Sequence, residues 1–175
     1  MTLTIRTLSA PEAAQYLDDL ARLLQACVAD GASVGFVMPF DVEAATRFWQ
    51  DGVLPALARQ GRVLWGAFEE GRLVGTVQLG LAMMPNQSHR AEVSKMLVAP
   101  AFRRRGIARA LMQALLARAA AEGRSLVTLD TRSGDPSQAL YTNCGFRVAG
   151  EIPGFALAPE GGPRRDPTTY MYRQG

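Results

Sequence analysis

The sequence predicts an α/β (α+β) fold of seven strands and about four helices, and three observations predict it. Apolar residues recur at helical spacing in two N-terminal stretches, three consecutive segments from Arg62 to Val98 take a strand period, and helix and strand periods then alternate to the C-terminus. With 175 residues, 48% of them hydrophobic, the chain fits one domain over 1–175. Such a domain buries roughly 70% of the surface that its unfolded chain exposes.

Residues 2–7 alternate as a short strand, and Ser9 to Glu12 forms the S-x-x-E pattern in which side chain and backbone cap each other at a helix start. Tyr16, Leu17, Leu20, Leu23, Leu24 and Cys27 continue on one helical face, so the helix should run to about Val28. Gly31 to Pro39 breaks it. A second helical stretch begins at Asp41 and turns Phe48 and Trp49 inward, with a kink expected between Gly52 and Pro55. Arg62 to Glu69, Leu73 to Leu81 and Arg90 to Val98 form a meander, its first turn at Glu70-Gly71. Ile107, Leu111, Leu115 and Ala119 line one face of a third helix that Gly123 ends. Ser125 to Asp130 is a short strand, Asp135-Pro136 opens a fourth helix, and two strands near 145–151 and 168–173 close the chain around a Gly/Pro-rich loop.

Composition excludes several classes. Cys27 and Cys144 lack the spacing of a metal or redox pair and read as apolar fillers, and His89 is the only histidine, so no metal site is expected. The N-terminus has no secretory pattern and no segment is long and apolar enough to span a membrane, which points to a cytoplasmic protein without a membrane partner. The net charge of +3 comes almost wholly from arginine, since Lys95 is the only lysine. No aromatic residues interleave with the arginines as a base-stacking surface requires, so a small polyanion suits this charge better than nucleic acid.

Val93 to Met112 carries the chemistry. A strand ends at Val98, and Arg103, Arg104, Arg105, Gly106, Ile107, Ala108 and Arg109 open an amphipathic helix. Unpaired N–H groups at a helix start carry partial positive charge, and the small residues Gly106 and Ala108 let a phosphate approach. A dinucleotide fold lacks its first glycine and acidic ribose ligand here, and a Walker loop lacks Gly-Lys-Ser/Thr.

This R/Q-x-x-G-x-G/A pattern after a strand resembles the Gcn5-related N-acetyltransferase (GNAT) family, and the element order of nearly the whole chain fits it. The resemblance implies a mixed, mostly antiparallel sheet splayed between strands 4 and 5, with acetyl-CoA as cosubstrate. Its pyrophosphate would lie on Arg103 to Arg109, and its pantetheine arm along Met96, Leu97 and Val98. Gly134 departs from the family, many members of which carry asparagine seven residues before the tyrosine that matches Tyr141. Within the family, Gly31 to Phe36, Arg90 to Val93 with Lys95, Leu129 to Thr131 and Gly150 to Gly154 are similar to members that detoxify an amino-acid-like β-lactam. A small-molecule amine is thus the implied acceptor.

Less than about 0.1% of an alkyl amine is neutral at pH 7, and only that form attacks a thioester, so a base is useful. Glu92, on the strand beside the groove, and Asp130, at the end of the next strand, are the candidates, with Glu92 favoured and Asp130 as anchor or second base. The resemblance makes Tyr141 the acid that protonates the departing thiolate. Ser33, Phe36 and Phe155, on the loops 31–39 and 153–167, are candidate acceptor contacts. A protein N-terminal or lysine acetyltransferase and a non-catalytic acyl-CoA-binding module stay open as alternatives, as does a homodimer through an edge strand.

Overall fold

A computed structural model describes residues 2–175. The N-terminal strand β1 (Leu3–Leu8) leads into α1 (Ala10–Gln15) and α2 (Leu17–Ala29). Ser9 forms the expected capping box: its Oγ accepts from the Glu12 N–H, and its own N–H donates to Glu12 Oε2 at 2.9 Å. Ser9→Ala is expected to lower folding stability by about 1 kcal/mol, read from the denaturant midpoint at unchanged slope. The single helix expected from Ser9 to Val28 is instead broken at Tyr16. There the Tyr16 ring packs edge-on to Phe68 with the Arg6 guanidinium over Phe68, a side contact that the helical period does not register.

The second helical stretch is also segmented, into α3 (Val42–Arg47), a π-helical turn over Phe48–Val53, and α4 (Leu54–Ala58), whose first turn holds Pro55. The wide turn falls where Gly52 and Pro55 predict a kink. The strands β2 (Arg62–Glu69), β3 (Arg72–Gly80) and β4 (Arg90–Val98) form the antiparallel meander. Then come α5 (Ile107–Ala121), β5 (Leu126–Arg132), α6 (Pro136–Asn143), β6 (Arg147–Leu157) and β7 (Arg165–Gln174). The sheet order is β1-β2-β3-β4-β5-β7-β6, with β4 and β5 its parallel pair and every other neighbour antiparallel.

Each sheet face has its own core. Leu20, Leu24 and Trp49 are fully buried where α1 to α4 cover one face, and Leu111, Met112 and Leu115 of α5 are fully buried on the other. A one-residue bulge in β4 links the two. The β3–β4 register runs Gly80↔Glu92, Leu79↔Val93, Gln78↔Ser94 and then jumps to Thr76↔Leu97, so Lys95 and Met96 together oppose Val77. The extra residue inverts the alternation. Val93 therefore packs with α5 while Leu97 packs with α2, although both are odd-numbered. At the bulge Lys95 takes the left-handed conformation, φ +51°.

The predicted loop 153–167 is mostly strand. Ala156↔Asp166 and Leu157↔Arg165 extend the β6–β7 hairpin beyond Pro153, which lies in a bulge between Ile152 and Ala156. A proline there forfeits no ladder hydrogen bond. Among the described residues no helix is long and apolar enough to cross a membrane.

Candidate active site

The parallel ladder between β4 and β5 is short. Arg90↔Leu126, Ala91↔Val127 and Glu92↔Thr128 pair, and beyond them the strands part. The splay opens a cleft of about 840 Å³ that Met96, Leu97 and Val98 line from one side, with Leu129 and Asp130 from the other. Backbone groups of β4 on that side have no strand to pair with, so an extended amide-bearing chain can add to this edge as a further strand does.

At the end of the cleft the turn into α5 is wound by two left-handed residues, Arg104 at φ +63° and Gly106 at φ +79°. Gly106 is the N-cap, and no side chain caps the helix. The N–H groups of its first turn are thus left for an anion such as a pyrophosphate. Gly106, Ile107, Ala108 and Arg109 all line the cleft.

The three arginines divide their work. Arg103 donates through Nε to Val98 O at 3.2 Å and through Nη1 to Asp30, tying the turn to β4 and to the end of α2. Arg105 donates to Glu69 Oε2 at 3.1 Å and to Ala101 O at 3.3 Å, with its guanidinium over Phe102, and its side chain is turned away from the cleft. The phosphate contact expected of the Arg105 side chain is therefore not formed in this geometry. Arg104 lines the cleft and has no ion-pair partner among the described residues. Arg104→Ala is expected to weaken acetyl-CoA binding about tenfold, whereas Arg105→Ala leaves affinity within about twofold; titration calorimetry on the two variants separates them.

The acceptor end gathers residues from four elements. Glu92 reaches the cleft, but Arg90 Nη1 sits 3.0 Å from its Oε2 while also donating to Thr128 Oγ1 at 2.8 Å. Asp130 has no ion-pair partner within 4 Å among the described residues, and its Oδ2 accepts from Thr168 Oγ1 at 3.1 Å. Tyr141, on α6, is 6% exposed and lines the cleft, its ring edge-on to Phe146. Burial, and then the negative charge of Asp130, hold its phenol well above the usual tyrosine range. The thiols are not poised for chemistry, since burial pushes both Cys27 and Cys144 upward. Among the described residues no cluster of three His, Cys, Asp or Glu side chains is placed to hold a metal.

Of the expected acceptor contacts, Ser33 and Phe155 line the cleft. Phe36 does not; it stacks on Phe40 at 4.5 Å and packs edge-on to Phe48 at 5.2 Å. The Lys95 ammonium, on the β4 bulge, lies over the rings of Phe36 and Phe48.

Two features escape the sequence reading. Lys95 lines the cleft, and its ammonium lies over the rings of Phe36 and Phe48 at 5.8 and 5.4 Å. Arg132, the last residue of β5, donates to Asp135 Oδ1 at 2.9 Å, to Gly31 O at 3.1 Å and to Asp166 Oδ2 at 3.5 Å. It clasps the loop 31–39, the turn before α6 and the start of β7 around the cleft mouth. Asp135 thereby spends its side chain on Arg132, and α6 has no side-chain cap there. The partners of Arg132 come from distant segments, so no local motif marks it.

Comparison with known proteins agrees with this geometry. The model of the acetyltransferase (GNAT) family matches residues 32–146. The fold is shared with a ribosomal-protein-alanine N-acetyltransferase from Brucella melitensis, 21% identical over 98% of this chain and 99% of that one, TM-score 0.79. A protein assigned as a phosphinothricin N-acetyltransferase is 20% identical over 99% and 98% of the chains, also at TM-score 0.79. An assigned acetyltransferase from Salmonella typhimurium, solved with its cofactor acetyl-CoA, is 20% identical over 99% of this chain and 94% of that one, TM-score 0.78. The splayed strands, the uncapped glycine turn and the matched residues together place the chain in the acetyltransferase (GNAT) family, as an N-acetyltransferase that uses acetyl-CoA.

Proposed function

We propose that the acceptor is the amine of a small, amino-acid-like molecule, a class that includes β-lactam toxins of the tabtoxin type. The closure of the acceptor end carries this reading. The Met38 N–H donates to Pro159 O at 2.7 Å, joining the loop 31–39 to the tip of the β6–β7 hairpin, and Arg132 fastens the same loop at Gly31. An extended peptide needs an open groove, whereas loops tied to each other leave a short compartment. One similar structure is named for phosphinothricin and another for a ribosomal-protein alanine, so the names divide, and the tied loops at the acceptor end are what supports the small-amine reading.

When bound, acetyl-CoA supplies an acetyl thioester that a neutral amine attacks, with CoA as the leaving group. Asp130 receives the substrate ammonium and takes its proton, directly or through one water. Its Thr168 contact holds one carboxylate oxygen and leaves the other open. Glu92, the favoured base on sequence, has its Oε2 engaged by Arg90 and serves as the negative end of a fixed ion pair. Tyr141 stays protonated throughout the working pH range, because its burial disfavours the phenolate. Its hydroxyl therefore remains a donor for the thiolate sulfur, whose own charge is disfavoured by the same burial.

Steady-state kinetics on free amino acids against tripeptides with the same N-terminal residue test the reading. We expect kcat/KM to favour the free amino acid by more than about tenfold. A preference for the peptide overturns the proposal in favour of a protein acetyltransferase, and acetyl-CoA binding without turnover on either overturns it in favour of a non-catalytic binding module.

A further inference from the structure

Lys95 is the only lysine in the chain. It sits on the cleft side of the β4 bulge in a left-handed backbone conformation that residues with a Cβ rarely adopt. Bulges beside active sites characteristically re-aim one side chain, and here the one re-aimed is a cation. The loop 31–39 closes over it: a Cβ at Gly35 would stand 3.7 Å from Nζ.

Half-buried ammonium groups ordinarily carry a carboxylate partner. Among the described residues Lys95 has none within 4 Å, and its ammonium makes no hydrogen bond to a side chain or carbonyl there. Its neighbours are the rings of Phe36 and Phe48, which favour a positive charge without using its hydrogen-bond donors. Burial, and then the positive charge of Arg62, push its pKa down, while Asp130 opposes them from across the cleft. The cation is thus held in place and under-compensated.

We infer that Lys95 binds the carboxylate of the acetyl acceptor, while Asp130 takes its ammonium, so that the cleft selects zwitterionic amino acids over simple amines. This rests on the small-amine reading above. Two opposite charges line one cleft without forming an ion pair with each other, which leaves one for each end of such a zwitterion. The site then discriminates twice: an amine without a carboxylate leaves Lys95 unpaired, and a peptide presents an amide where the carboxylate should be.

The test compares wild type, Lys95→Met and Lys95→Arg on L-alanine, L-methionine and L-lysine, each against its decarboxylated amine. Methionine keeps the unbranched stem against Phe36 and Phe48 and removes the charge. We expect wild type to favour the amino acids. Lys95→Met should raise KM for them about 10- to 100-fold, leave KM for the decarboxylated amines and the Kd of acetyl-CoA unchanged, and be partly rescued by Lys95→Arg. An equal rise for both substrate classes overturns the assignment and makes Lys95 a packing element. Equal use of both classes by wild type also overturns it, with the small-amine reading intact. Turnover of peptides alone defeats the small-amine reading itself.

Discussion

Tyr141→Phe is expected to lower kcat by about 10²- to 10⁴-fold while the Kd of acetyl-CoA stays within about twofold. The substitution removes one hydroxyl and nothing else. The ring keeps its edge contact with Phe146, 6.0 Å between centroids, and its place in the core on the α5 side of the sheet. On the role proposed for Tyr141, the lost step is donation to the departing sulfur. The sign of the pH effect follows from the raised phenol: the protonated form persists above the usual tyrosine pKa, so wild-type kcat should not fall between pH 7 and about pH 10 on account of this residue. Stopped-flow burst measurements against calorimetric binding check the division. An equal loss of binding and turnover, or a wild-type alkaline limb that Tyr141→Phe abolishes, contradicts the role.

Gly106→Val is expected to act in the opposite way, weakening acetyl-CoA by about 100-fold or more and sparing kcat at saturating cofactor. Two effects combine. At φ +79° a β-branched side chain adds about 1–3 kcal/mol of backbone strain at the start of α5. A Cβ at Gly106 meets no protein atom within 4 Å, so the new side chain points into open space beside the uncapped N–H groups, where the proposed phosphate site lies. Gly106→Ala should show a smaller loss of the same kind. Calorimetric titration with circular dichroism as the control decides it, and an unchanged Kd in Gly106→Val contradicts the phosphate assignment.

What was legible in the sequence depended on whether its cause was local. The capping box at Ser9, the three-strand meander, the glycine turn before α5 and the placement of Tyr141 on α6 are all set by residues within a few positions of one another. The role of Arg105 was not legible, because its partner Glu69 comes from the first hairpin, and three adjacent arginines look alike until that contact is known. Nor was the β4 bulge. A register shift depends on the partner strand, and the alternation of Val93 to Val98 carries no mark of the residue that will be skipped. Phe36, expected at the acceptor, instead joins the Phe40–Phe48 stack with the Lys95 ammonium over its ring, and Lys95 had no site role on sequence because the bulge that places it was not visible there. The pairing of Glu92 with Arg90 was within reach, as residues two apart on a strand share a face.

The bulged β6 is a similar case. Gly and Pro between 153 and 163 read as a loop, yet the hairpin continues through Leu157↔Arg165 because the bulge absorbs Pro153 and Gly154. Phe155 keeps its position at the cleft on a strand edge, packed edge-on to Tyr170. A strand holds such a side chain more firmly than a loop does, which suits a compartment with a defined size limit.

The most direct test of the account is thiol release from acetyl-CoA by the full chain, measured with and without free L-amino acids. The account predicts release that depends on the amino acid, saturates with it, and is matched mole for mole by the N-acetylated product. Release at the same rate without an amine, or no binding of acetyl-CoA at all, would contradict it.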